Sequence, residues 1–532
     1  MGRFSWRIAS AAALLAAAGT ACTHGRPPHA GGLTIVQTQP IALLLPGREN
    51  GAVAQETASL LGRYLVTLDA AGGLVPDAAA VVPSRENGGI SPDGRTIVYH
   101  LKPGLRFSDG AVLGAADAAA TIEALRDPRS LLPSRLGIED VAAVRATGAL
   151  TLRVTLKRPY APILLYLCAP GNATTILRSS QAQALDDPQA SPASLAGAGP
   201  YAIAAVEPGE RLELQPNRWY SPRPALAAMT IRTTGTSQTA HVELQSGEAD
   251  GYVMADPALA GELADVPGLA IRSTPVDGIG ALIFNTRSPV VSRAAMRRAL
   301  LAGLDVAGDV RRIFRGGVSA HDAAAGLFLW AYDRRALPPP RYEPAAARSQ
   351  LDALGWRLGR DGKRYRDGVP LALHVIVRGD QPSSSELAIE FAAQLRSLGV
   401  GVELRQYPID EWGSPGGPLY GGAFDIAIAQ FIAGFDPDVT DQFACDRIPP
   451  RGYNKPRYCN PALDAILARA AASYDRGLRR ELYRQAQRIL ARDVPLVPLY
   501  RLVSLDALPA ALHGVDPTAV SPFYGVARWS LR

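Results

Sequence analysis

Ser91-Pro92-Asp93-Gly94-Arg95-Thr96, with Tyr99-His100-Leu101-Lys102-Pro103-Gly104-Leu105-Arg106-Phe107-Ser108-Asp109-Gly110 close behind, is the most instructive run in this 532-residue chain. Asp93-Gly94 and Asp109-Gly110 are turn dipeptides, because glycine takes positive φ without a Cβ clash. Between them 95–102 alternates, with Thr96, Val98, His100 and Lys102 on one side and Ile97, Tyr99 and Leu101 on the other. That period of two predicts a strand with one buried face. Downstream, Gly114 to Leu125 reads as an Ala-rich helix, 149–156 as a second alternating strand, and Pro159-Tyr160-Ala161-Pro162 as the opening of a helix. Upstream, 33–44 reads as a strand and loop, and the spacing of Val53, Leu60, Leu61 and Leu65 predicts a helix over 51–68. The strand-rich first half implies an α+β organisation.

Polar loops at 186–198 separate this region from strands at 211–215, 228–232 and 280–284. A helix is expected at 294–304, and a Pro-rich stretch at 337–340 precedes another at 344–354. Strand 371–377, helix 384–398 and strand 400–406 form a βαβ-like unit. Strand 424–429 leads into an irregular Gly/Pro/Asp loop, then helices 461–472 and 476–492 and a strand-like 496–504. Strands alternating with helices predict an α/β lobe around an open sheet. No internal repeat is visible.

The chain is 47% hydrophobic and 20% charged, with a mean hydropathy of +0.03, which excludes wholesale disorder. No internal run approaches the roughly 20 uncharged apolar residues of a membrane span, and four cysteines exclude a disulfide scaffold. Only Lys102, Lys157, Lys363 and Lys455 are lysines among 55 basic residues, so 51 are arginines. Without a block of like charges, this reads as codon bias and implies no nucleic-acid partner.

Arg3 and Arg7 precede an apolar run from Ile8 to Ala18, too short to span a bilayer, followed by Gly19-Thr20-Ala21-Cys22. This is the layout of an export signal over residues 1–21. A cysteine directly after small residues resembles a bacterial lipobox, with Gly19 where leucine is usual, so Cys22 is the expected lipidation site. Residues 22–32 read as a lipidated tether. Removing residues 1–21 deletes two arginines and no acid, lowering the net charge from +6 to +4.

The order of short motifs resembles the family 5 extracellular solute-binding proteins, bacterial receptors for peptides, nickel and related solutes that feed ATP-driven importers. Gly73-Leu74-Val75-Pro76-Asp77-Ala78-Ala79 and the Ser91 to Gly110 run carry the resemblance, and Ala115-Ala116-Asp117 follows in place. Gly197-Ala198-Gly199-Pro200-Tyr201, Asn217-Arg218-Trp219-Tyr220 and Ser246-Gly247-Glu248-Ala249-Asp250 continue it. So do Phe284-Asn285, Met296 to Leu300, Leu304-Asp305, Tyr342 to Trp356, Phe424-Asp425 and Asp436-Pro437-Asp438. Tyr201, Trp219 and Phe284 are expected in the core. The resemblance implies a two-lobed, periplasmic-binding-protein-like α/β fold of type II, with an extra α+β subdomain inserted in lobe I. The expected division is lobe I at 33–60, 197–282 and 495–532, the insert at 61–196, and lobe II at 283–494.

It further implies an exported monomer at the periplasm or cell surface, anchored by lipid and working with ABC permease subunits and ATPases. In several peptide receptors of the family an aspartate three positions before "D-P-D" holds the ligand's α-ammonium. Here that position is Ala433. A buried ammonium needs an acceptor, so either Asp436 or Asp438 substitutes or the solute is not a free-N-terminus peptide. Peptides lead as ligand class, and sugars, opines or metal chelates stay open. Trp412, Tyr420, Phe431 and Phe435 are expected aromatic walls, Gln430 and Gln39 orienting amides, with Ala433, Gly434 and Asp436 in the ligand loop; core positions for Phe431 and Phe435 are the alternative.

Histidine spacing gives no metal site outside the tether, and no catalytic motif or cofactor-binding motif is present. An enzyme or sensor on this scaffold is the weaker alternative. Cys445 and Cys459, 14 positions apart, are expected to pair in an oxidising compartment, two free buried thiols being the alternative. Cys168 follows an apolar run and reads as a buried free thiol.

Overall fold

The computed structural model describes residues 32–41, 52–128, 130, 135–183, 195–414 and 416–531. The expected signal segment, Cys22 and most of the tether lie outside them. Ten strands form one mixed sheet: β1 (Gly32–Gln37), β2 (Tyr201–Glu207), β3 (Arg211–Pro216), β4 (Ala228–Thr233), β5 (Gly251–Ala255), β6 (Leu269–Phe284), β7 (Ala372–Arg378), β8 (Gly401–Tyr407), β9 (Ile426–Ile432) and β10 (Leu496–Pro509). Their order is β8-β7-β9-β6-β10-β5-β1-β4-β3-β2.

β6 and β10 are the long central strands and link the two halves of the sheet. They pair antiparallel from Leu269↔Pro509 to Ile283↔Leu496, with register shifts between Pro275 and Ile279 and between Gly280 and Ala281. On one side β10 hands the sheet to β5 and lobe I; on the other β6 pairs with β9 of lobe II. Irregularities of this kind bend a strand and raise its twist, so the sheet turns where the lobes meet.

In lobe II, β7 is parallel to both β8 and β9. The crossover is the helix Pro382–Ser397, whose proline sits in the first turn, where no N–H is needed. Both sheet faces are covered, so β7 and β9 are apolar runs with little alternation. One layer packs Leu300, Leu351, Leu387, Phe391 and Leu395 onto Val375 and Val377. The other packs Leu463, Leu467, Leu482 and Tyr483 onto Ile279, Ala281 and Ala427. Lobe I is built likewise, with Leu60, Leu61 and Trp529 on one face and Leu244 and Leu263 on the other.

The Ser91–Gly110 region lies in a separate α+β unit. Strands Thr96–His100, Val141–Gly148 and Thr151–Leu156 form an antiparallel sheet backed by the helix Ala115–Arg126. Asp117 accepts from Gly114 N–H at 2.9 Å at its own helix start and from Ser179 N–H at 2.9 Å, tying two segments together. The Gly197-x-Gly199 pair exists for close approach: a Cβ on Gly199 would lie 2.4 Å from the Leu61 carbonyl carbon.

Several expectations need correction. The helix over 51–68 is Ala52–Leu61 followed by a strand, Val66–Leu68, because Gly62 lies against Thr175 and Leu65 N–H donates to Cys168 O. The strand at 280–284 extends back to Leu269, and the one at 496–504 forward to Pro509. Pro275, Asp277 and Gly278 had concealed β6. The helix opened by Pro159 to Pro162 is a 3-10 turn, Ala161–Leu165. Tyr201 and Phe284 are fully buried, but Trp219 is 41% exposed, lying on the surface between Arg106 and Arg218.

Candidate functional site

β9 ends at Ile432 and its chain turns outward toward the inserted unit. The pairing with β6 persists one step further, since Ala433 N–H donates to Asp277 O at 3.1 Å. Gly434 then takes φ +86°, and a Cβ there would sit 3.9 Å from the Tyr166 hydroxyl of the insert. Tyr160 of the insert donates its hydroxyl to Asp438 at 3.0 Å. Arg447 pairs with Glu139 nearby, and the Tyr474 hydroxyl donates to Gly94 O at 3.2 Å. The turn at Asp93-Gly94 is therefore a docking point for lobe II. At the other border, Ser383 of lobe II donates to Asp256 of lobe I at 2.9 Å.

The loop carboxylates are already engaged. Asp436 forms a buried ion pair with Arg479, which also bonds the Tyr483 hydroxyl at 3.0 Å. Asp438 is 2% exposed and accepts from Tyr160, Thr440 N–H and the Thr440 hydroxyl. Burial pushes its carboxyl above the ordinary range, opposed by the Thr440 hydroxyl, while the Asp436 charge adds to the rise.

A third carboxyl sits beside them. Asp277 lies opposite Ala433 on β6, and cross-strand partners project to the same face. Burial raises it to about 7 against the pull of Arg501, which is 3.4 Å away. On that same face Lys455 stands 4.6 Å from the Phe431 ring centroid, and burial lowers its ammonium to about 8.

The expected site residues divide. Ala433, Gly434 and Asp436 lie in the inter-lobe loop. Tyr420 is partly buried beside Lys455, 5.6 Å from ring centroid to Nζ. Gln430 is exposed on the opposite face of β9, near Tyr500. Gln39 is exposed after β1, its carbonyl taking the Gln37 amide at 2.9 Å. Trp412 and Phe431 are 6% and 1% exposed: alternation along β9 turns Phe431 under the helical layer that also covers Trp412, which fits the core alternative for Phe431. Phe435 is 8% exposed, packed on Tyr64 and Leu165 across the lobes. Asp436 is not a free acceptor, since Arg479 holds it. Cys445 and Cys459 are joined, with Cα atoms 4.4 Å apart, and Cys168 is a buried free thiol. Among the described residues no group of three His, Cys, Asp or Glu side chains is placed to hold a metal.

Sequence reasoning missed Tyr160, Tyr166, Asp277 and Lys455. Two left a trace: Asp277 is an acid in an apolar strand, and Lys455 is a rare lysine in an arginine-rich chain.

The model of the bacterial extracellular solute-binding proteins, family 5 (middle region), matches residues 75–444. Protein XP55 of Streptomyces lividans is 27% identical over 470 residues, 84% of this chain and 81% of that protein. A dipeptide-binding protein of Pseudomonas aeruginosa is 22% identical over 473 residues, 84% of this chain and 86% of that one. Among solved structures, NikZ of Campylobacter jejuni, in complex with Ni(L-His), superposes with a TM-score of 0.81 at 21% identity, over 94% of this chain and 99% of that one. The oligopeptide-binding AppA of Bacillus subtilis, in complex with a nonapeptide, gives 0.80 at 19% identity, over 94% and 99%.

Proposed function

The chain belongs to the bacterial extracellular solute-binding proteins of family 5, and we propose that it is the extracytoplasmic receptor of an ABC importer, taking a peptide or peptide-like solute between its lobes and delivering it to a permease. The observation that carries this reading is the pair of bent strands, β6 and β10, joining two lobes whose facing edges touch through Tyr160–Asp438 and Arg447–Glu139. Such a joint lets lobes rotate while each core stays intact. A solute between them then bridges both edges, and closure removes it from water.

The peptide reading draws on the names of the relatives. The proposed division into lobe I (33–60, 197–282, 495–532), insert (61–196) and lobe II (283–494) has its borders at 282/283 and 494/495, a few residues from the register shifts of β6 and β10 at which we place the hinge. The Gly19-Thr20-Ala21-Cys22 sequence supports lipid anchoring of a monomer at a bacterial membrane through Cys22. Mass spectrometry of solute released from natively purified protein, with calorimetry on that solute, tests the assignment. A tightly held peptide is the expected result; recovery of a sugar or metal chelate instead would replace the ligand class.

A further inference from the structure

Five cationic side chains are less than one-tenth exposed among the described residues: Arg297, Arg364, Arg447, Lys455 and Arg479. Four are anchored. Arg297 donates to the carbonyls of Val291, Ser292, Asp493 and Val494. Arg364 meets Asp352, Leu398 O and Trp356 O, Arg447 meets Glu139, and Arg479 meets Asp436. Lys455 is 9% exposed, and while its backbone N–H donates to Tyr453 O at 2.6 Å, its ammonium makes neither a hydrogen bond nor an ion pair among the described residues. Its Nζ sits in a collar of Phe431, Tyr420 and Tyr453, with ring centroids at 4.6, 5.6 and 5.9 Å. Ring faces attract a cation but replace only part of its lost hydration. By contrast, Lys102 and Lys157 each donate to a backbone carbonyl at 2.6 Å.

The backbone under Lys455 is rigid. The Cys445–Cys459 bond closes its loop, and the fully buried Asn454 donates to Ala444 O at 2.8 Å and Tyr458 O at 2.7 Å. Phe431, beneath the ammonium, is the penultimate residue of β9, at the end that opens into the inter-lobe loop. A cation held on ring faces, with no acid bonded to it among the described residues, at the strand end that leads into the inter-lobe loop is preorganised for an anion. We propose that Lys455 docks an acidic group of the bound solute, so that the solute class is carboxylate-bearing. This rests on the inter-lobe ligand site proposed above.

The chain has four lysines, so 15N-lysine labelling yields four side-chain ammonium resonances, and Lys455→Met or Lys455→Arg assigns one. Sodium acetate is titrated against sodium chloride at equal ionic strength, with acetamide as the neutral control. The Lys455 resonance should move saturably with acetate alone, while that of the exposed Lys363 stays still. A Lys455 resonance indifferent to acetate overturns the proposal. Calorimetry then compares Ac-Ala-Ala-Glu-NH2 with Ac-Ala-Ala-Gln-NH2. The acidic peptide should bind about ten-fold tighter or more, a preference lost in Lys455→Met. Equal binding of both peptides to the wild type also overturns it. Movement of the resonance with acetate, with neither peptide binding, supports the anion site and defeats the peptide reading instead.

Discussion

In the proposed reading, Ala433 sets how the chain treats the amino terminus of a bound peptide. The acceptors beside it are committed: Asp436 to Arg479, Asp438 to Tyr160 and Thr440, and Asp277 to Arg501. A free α-ammonium therefore finds none of these three carboxylates spare, and without one of them a charge-assisted bond of about 1.5–3 kcal/mol goes unmade. Free and N-acetylated forms of one peptide should bind within about ten-fold of each other by calorimetry. A hundred-fold preference for the free form would show that one acid does change partners. Asp277→Asn, Asp436→Asn and Asp438→Asn would identify which. None of these commitments is visible at position 433 itself; each depends on a partner more than 40 residues away, save that of Asp438 to Thr440.

Among elements, the 445–459 loop and the long strands matter most. In the chain-entropy account, the Cys445–Cys459 bond is worth roughly 3 kcal/mol for a loop of this size. Replacing both cysteines by serine should lower the denaturation midpoint accordingly, and peptide mapping without reductant should recover the joined pair from exported protein. Free alkylation of both thiols in native material would refute the bond. The loop's pairing was legible from spacing and compartment, but its place beneath Lys455 was not. The strands teach the opposite lesson. β6 was half hidden because Pro275 and Gly278 read as breakers, yet these residues stand where the register shifts and the strand passes between lobes.

For the whole molecule, buried ionisable groups set a two-sided pH dependence. Lys455 is lowered to about 8 from 10.5, so between those values the unfolded chain holds the extra proton and stability rises with pH. The full span is worth about 3 kcal/mol. Asp506 is raised by burial to about 6 from 3.8, so stability falls as pH climbs through that interval. Urea denaturation should show wild type gaining on Lys455→Met from pH 8 to 10; parallel curves would contradict this. Asp506→Asn should flatten the decline between pH 4 and 6. At the cell, Cys22→Ser should release the protein from membranes and abolish fatty-acid labelling, whereas unchanged association with no lipid on the wild type would remove the anchor.

The sequence by itself determined the scaffold. Asp-Gly turns, the Asp117 helix start and the Gly197-x-Gly199 approach are local or short-range constraints, and each leaves a fixed spelling at a fixed place in the order. It also determined the family, since many such spellings in sequence leave little choice of fold. Only the tertiary structure decided which aromatics serve the core and which acids are spent. Burial of Phe431 depends on a helical layer from another part of the chain, and the state of Asp436 depends on Arg479, 43 positions later. Charge compensation is a property of pairs, and the members of a pair need not be near in sequence. Lys455 stands out for the same reason: that its ammonium has no bonded acid among the described residues is evident only from the packed structure.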